Sequence, residues 1–118
     1  NDQMRNVVAE NLSSDFEVIT AGNGKEGLEK CKEFYPNLII TDIRMPFMDG
    51  LELSRLIKKE MPQTKILILS GHEEFEYAKD AIQIGVEEYL LKPINSDELL
   101  QVVRRAADNY RRKTSGQA

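Results

Sequence analysis

The stretch Leu38-Ile-Ile-Thr-Asp-Ile-Arg-Met-Pro-Phe-Met-Asp-Gly50 decides how this chain folds. Leu38 to Thr41 is an apolar run suited to a strand buried on both faces. Asp42 follows at its carboxyl end, and a loop stiffened by Pro46 and closed by Gly50 would hold that carboxylate at the rim of a sheet. In α/β proteins this rim is where ligands and chemistry sit. Aspartate also ends strands for a plainer reason, because its side chain bonds nearby backbone amides. The rest of the chain has to decide between the two.

Downstream, Leu53, Leu56 and Ile57 recur at helical spacing and predict a helix ending near Met61-Pro62. Lys65-Ile-Leu-Ile-Leu-Ser70 is apolar at successive positions and predicts a central parallel strand. Phe75, Ala78, Ala81 and Ile82 line a further helix that Gly85 can terminate, and Tyr89 to Leu91 is a short last strand. Ser96 is placed to cap a final helix, with Asp97 and Glu98 at its positive end and Leu99, Leu100, Val103, Ala107 and Tyr110 on its buried side.

Upstream, Asn23 can cap a helix carrying Leu28, Cys31 and Phe34 on one face, which Pro36 prevents from continuing. Phe16 to Thr20 alternates like a strand, and Met4, Val7, Val8 and Leu12 give a helix at the front. The order α-β-α-β-α-β-α-β-α implies an α/β domain with a doubly wound parallel sheet and helices on both faces, over residues 1–113, with a tail at 114–118.

Length and composition agree with one globular domain: 118 residues, 41% hydrophobic and 31% charged. A net charge of -4 disfavours direct binding to nucleic acid or to an anionic membrane surface. Cys31 is the only cysteine, so no intrachain disulfide and no cysteine metal cage can form, and its place in a helical pattern suggests a small buried side chain. No apolar run approaches the roughly 18 residues that span a bilayer, and the cytoplasm is the expected compartment. The cations Arg104, Arg105, Arg111, Arg112 and Lys113 complement the dipole at the end of the last helix.

Asp42, Ser70 and Lys92 each fall at the carboxyl end of a predicted strand, so a carboxylate, a hydroxyl and an ammonium converge on one rim. A carboxylate can attack phosphorus, a hydroxyl can donate to a phosphoryl oxygen, and an ammonium can neutralise growing charge. Pro93 fixes the backbone directly after the lysine, through a trans or a cis bond. Each residue also has a plain reading: Ser70 as a hydroxyl bonding its own backbone, Lys92 as a solvated lysine, Tyr89 as a core aromatic with its hydroxyl at the surface. His72, in a polar Gly-His-Glu-Glu run without a second metal-type partner, reads as an exposed loop histidine.

The chain resembles the receiver domains of two-component response regulators. The resemblance rests on Ile39-Ile-Thr-Asp-Ile-Arg-Met-Pro-Phe-Met-Asp-Gly50, Ile68-Leu-Ser-Gly71 and Gly85-Val-Glu-Glu-Tyr-Leu-Leu-Lys-Pro93, in the family's order and spacing. It implies a flavodoxin-like sheet of strand order 2-1-3-4-5. It also implies that Asp42 is the phosphoacceptor for a sensor histidine kinase and that Lys92 contacts the phosphoryl group. Ser70 and Tyr89 would form the switch, and Mg2+ would be held in part by Asp42 and the backbone carbonyl of Arg44. Arg44 and His72 would occupy positions that influence phosphoryl lifetime. A homodimer through the helix at Phe75–Ile82, the last strand and the last helix is implied as well, as is an output domain, DNA-binding in AraC-type regulators. The first helix region is also similar to receivers of hybrid sensor kinases.

One part of the pattern is missing. Gln3-Met4-Arg5 matches the start of the family's first helix, which puts the first strand and its magnesium-holding acidic pair before Asn1. Asp2 lies about two positions too late and reads as an N-cap or first-turn acid. The natural protein is expected to carry that strand, and without it the sheet is expected to have unpaired inner edges and low stability. A degenerate receiver, acting as a phosphorylation-independent interaction module, is the alternative. An aspartyl phosphatase would want a second aspartate where Arg44 stands, and a flavin carrier would need a phosphate-cradling loop after its first strand.

Overall fold

A computed structural model describes residues 16–44, 48–71 and 76–115. The predicted front helix, Asp2, Pro46, His72 and Phe75 lie outside the described residues. Four strands, β1 (Val18–Ala21), β2 (Leu38–Asp42), β3 (Lys65–Ser70) and β4 (Glu88–Leu91), alternate with helices α1 (Gly24–Phe34), α2 (Gly50–Glu60), α3 (Tyr77–Ile84) and α4 (Ser96–Ser115). The sheet is wholly parallel, in the order β1-β2-β3-β4.

The chemistry of the two faces follows from strand alternation. Leu38, Ile40, Leu67 and Leu69 point to one side, where Leu99, Val102, Val103, Ala106 and Ala107 of α4 cover them together with Phe16. Ile39, Ile66 and Ile68 point to the other, against Cys31 of α1, Leu51, Leu53 and Ile57 of α2 and Ala81 of α3. Among the described residues the three crossover helices thus share one face and α4 covers the other. Phe16 also meets Tyr110 of α4, ring centroids 5.6 Å apart, which ties the entry to β1 to the end of the domain. Among the described residues no helix is long and apolar enough to cross a membrane.

Several expectations need correction. The open slot expected between the first two strands is absent: β1 pairs directly with β2, from Val18 opposite Leu38 to Ala21 opposite Thr41. Two adjacent strand edges with unpaired amides satisfy each other at no further cost in desolvation, which is why the gap closes. Phe34 is 54% exposed and Ile82 72% exposed, whereas both were expected on buried faces. Ala81 takes the core position instead, and α3 is too short to bury more than a narrow stripe. The cap of α4 is Asn95, whose Oδ1 accepts from the Glu98 N–H at 2.8 Å and whose amide donates to Glu98 Oε1 at 3.1 Å. Ser96 is therefore the first helical residue rather than the cap. The helix also continues through Thr114 to Ser115, past the boundary expected at Lys113.

Other local signals hold. Asn23 caps α1, accepting from Glu26 N–H at 2.8 Å, and Gly85 ends α3 in the left-handed region at φ 93°. Tyr35 closes α1 with φ 46° ahead of Pro36.

Two predictions follow from the core. Ile40→Ala, at a fully buried site, should lower unfolding free energy by about 2–5 kcal/mol in urea titration, against less than about 0.5 kcal/mol for Ile82→Ala. Burial pushes the Cys31 thiol up from its ordinary 9.0 to about 11. The native state therefore keeps a proton that the unfolded state gives up between these values, so stability must fall as pH rises through that window. The stability difference between wild type and Cys31→Ala should be flat below pH 9 and shrink between pH 9 and 11 in denaturant melts.

Candidate functional site at the carboxyl rim of the sheet

Two backbone hydrogen bonds align the rim. Ile43 N–H donates to Leu69 O at 3.2 Å, and Lys92 N–H donates to Ser70 O at 2.7 Å. With Asp42 opposite Leu69 and Ser70 opposite Leu91, the three strands end within one residue of each other. Of the three side chains expected to converge, Asp42 and Lys92 touch: Lys92 Nζ lies 2.7 Å from Asp42 Oδ1. Both side chains are partly open to water, at 48% and 38% exposure, so the ion pair contributes little stability. What matters is that a nucleophile-capable carboxylate and an ammonium face solvent together. The Lys92-Pro93 peptide bond is cis.

Ser70 is the most informative member. Its side chain is fully buried, and its Oγ has no hydrogen-bond partner among the described residues. A buried hydroxyl left unsatisfied costs roughly 1–3 kcal/mol, and native folds rarely keep one without a reason. The plain reading, a hydroxyl bonded to its own backbone, is thus not what the structure holds. By alternation Ser70 shares its face with Ile66 and Ile68, and Tyr89 stands opposite Ile68 on β4. Tyr89 is half-buried and packs on the cluster beneath α1, α2 and α3. Ser70 and Tyr89 therefore lie on the same side of neighbouring strands. Arg44 is exposed, two residues beyond Asp42.

The loop that leaves Asp42 returns to it. Gly50 N–H donates to Ile43 O at 2.7 Å, and a β-carbon at residue 50 would collide with the Asp42 carbonyl oxygen. Asp49 is the N-cap of α2, its Oδ1 accepting from Glu52 N–H at 2.8 Å. The acid and glycine that end the opening stretch are thus structural: one starts the helix, the other lets it begin against Asp42. The spacing of Asp49 to Glu52 before an apolar helical run was the sequence signal for that cap. Thr41 was not singled out by its sequence; it is 1% exposed and its hydroxyl donates to Asp42 O at 3.1 Å. A hydroxyl inside an otherwise aliphatic strand was the available hint.

The opposite end of the sheet differs. A cleft there is lined by Tyr35, Pro36, Asn37, Met61, Thr64 and Tyr110. Two of its polar side chains are spent on the fold, Thr64 donating to Pro36 O at 2.9 Å and Asn37 Oδ1 accepting from Glu17 N–H at 2.7 Å. Among the described residues the carboxylate and the ammonium meet at the carboxyl rim instead.

Residues 1–104 match the family described as the response regulator receiver domain. This chain belongs to that family. It is 41% identical over 93 residues to the uncharacterized transcriptional regulatory protein YesN of Bacillus subtilis, covering 79% of this chain and 25% of that protein. Identity to the DNA-binding transcriptional regulator NtrC of Escherichia coli K12 is 40% over 91 residues, 77% of this chain and 19% of NtrC. The receiver domain of NtrX from Brucella abortus superposes with a TM-score of 0.79 at 29% identity, covering 91% of this chain and 88% of that one. The receiver domain therefore corresponds to a quarter or less of these two regulators' length.

Replacing the glycine of the returning loop tests the steric part of this geometry. Gly50→Ala should cost about 1–3 kcal/mol, read as a lower urea midpoint, because either the Asp42 peptide or the start of α2 has to shift.

Proposed function

We propose that this receiver domain takes a phosphoryl group from the phosphohistidine of a sensor kinase onto Asp42 and uses it to switch a surface. The observation that carries the reading is the Lys92–Asp42 contact of 2.7 Å at a solvent-open rim. In the step, an Asp42 carboxylate oxygen forms the new O–P bond as the P–N bond to the donor imidazole breaks, and the imidazole keeps the electron pair. Lys92 neutralises the charge spread over the phosphoryl oxygens. The orphan hydroxyl of Ser70 gains an acceptor once a phosphoryl oxygen is present, which accounts for its being kept unsatisfied.

Among the described residues no three histidine, cysteine or acidic side chains form a metal-binding group. The donors at hand are the Asp42 carboxylate and the Arg44 carbonyl. Both are hard oxygens, and Mg2+ is commonly held by one or two carboxylates with waters and phosphate oxygens completing its shell. Bound there, the cation would neutralise phosphoryl charge.

Ser70 and Tyr89 pass the event outward by sharing one face of β3 and β4. Their readout is the surface of α3, β4 and α4, where Ile82, Tyr77 and Leu91 leave apolar area exposed and Arg105 reaches Glu88 at 3.1 Å. A second copy of the domain is the proposed occupant of that surface. The names of the relatives favour a transcriptional output domain in the parent protein over a hybrid kinase. The cytoplasm is the compartment this reading implies, since kinase-derived phosphoryl groups arise there. The domain itself is a signalling element whose only chemistry is its own phosphorylation and slow dephosphorylation.

Incubation with acetyl phosphate and Mg2+ should label wild type and leave Asp42→Asn unlabelled. Equal labelling of the two would remove Asp42 from the role. Labelling of neither, with the expected upstream strand and its acidic pair restored, would favour the phosphorylation-independent interaction module.

A further inference from the structure

We infer that Thr41 is a positioning residue for Asp42: its buried hydroxyl holds the Asp42 carbonyl and so fixes the direction in which the carboxylate leaves the strand. The inference rests on the phosphoacceptor reading of Asp42 for its consequence, though not for its geometry. Thr41 faces the side of the sheet occupied by Ile39 and Ile43, both at most 2% exposed. Valine would suit that environment and the strand equally well, and a hydroxyl placed there is costly unless it is bonded. Its Oγ1 donates to the Asp42 carbonyl at 3.1 Å.

The same carbonyl is confined from a second direction. Gly50 lies against it so closely that no β-carbon fits, and Gly50 is itself held by its N–H to Ile43 O at 2.7 Å. Ser54, fully buried in the first turns of α2, donates to Gly50 O at 2.6 Å. The Asp42–Ile43 peptide is thus gripped between the Thr41 hydroxyl and a glycine that a buried serine anchors. Holding that peptide plane holds Asp42 Cα, and together with the pairing of Asp42 opposite Leu69 it limits where Cβ points and so the 2.7 Å approach of the carboxylate to Lys92. Reaction rates respond to small misplacements of a nucleophile, so a hydroxyl that never touches the phosphoryl group can still set the rate.

The test compares Thr41→Val, which removes only the hydroxyl, with Thr41→Ser, which keeps it. In the full chain without phosphodonor, Thr41→Val should shift the NMR resonance of the Asp42 carboxyl carbon, and Thr41→Ser should return it to the wild-type position. With acetyl phosphate and Mg2+, the maximal labelling rate of Thr41→Val should fall about tenfold or more, the loss typical of an outer-sphere orienting group. The donor concentration at half-maximal rate should stay constant, and Thr41→Ser should recover the rate. A wild-type resonance in Thr41→Val, or equal shifts in both variants, would overturn the inference. If wild type is not labelled, the phosphoacceptor reading fails while the carbon resonance still decides the role of Thr41. Thr41→Ala against Thr41→Ser repeats the comparison should the valine variant unfold.

Discussion

Parallel pairing of β2, β3 and β4 in a fixed register is the constraint on which everything else in this domain depends. Side chains alternate between faces with a period of two, so slipping one strand by a single residue would send its buried set to the wrong side. Here each interior strand is apolar on both faces, which pins the register from both sides at once: Leu67 and Leu69 toward α4, Ile66 and Ile68 toward the crossover helices. Once that register is set, the backbone bonds from Ile43 to Leu69 and from Lys92 to Ser70 follow. The convergence of Asp42, Ser70 and Lys92 is then a result of core packing rather than of any attraction among the three.

The two ends of the sheet show what the fold does with its polar groups. At the amino end, threonine and asparagine side chains bond the chain turns and bring nothing reactive together. At the carboxyl end, an ion pair is open to solvent and a buried hydroxyl is left unsatisfied. Among the described residues the Ser70 hydroxyl finds no partner, and the stability one would bring is left unused. The half-buried Tyr89 lies on the same face of the adjacent strand.

Much of this was legible in the sequence because the signals are local and strong. Apolar runs of four to six residues gave the interior strands, Asn23 and Gly85 marked helix ends, and Asp42, Ser70 and Lys92 each ended a run. What failed depended on neighbours that a one-dimensional pattern does not name. Ile82 and Phe34 fit a helical stripe, but the sheet beneath is narrow and the short side chains of Ala81 and Cys31 already fill it. Asn95 and Ser96 are both good caps, and the choice between them was made by where Glu98 falls. The direct pairing of β1 with β2 arose from competition between strand edges, which propensity does not describe. The grip on the Asp42 carbonyl is a packing fact about residues 41, 50 and 54, for which the glycine and a hydroxyl in an aliphatic strand were faint signals.

On the proposed reading the phosphoryl group resides on the carboxylate paired with Lys92. Borohydride reduction converts an acyl phosphate to the corresponding alcohol and leaves free carboxylates alone, so peptide mass spectrometry after phosphodonor treatment reads the site directly. Homoserine should then be found at position 42 and at no other acid. Reduction at a different residue, or none in a protein that carries label, would contradict it.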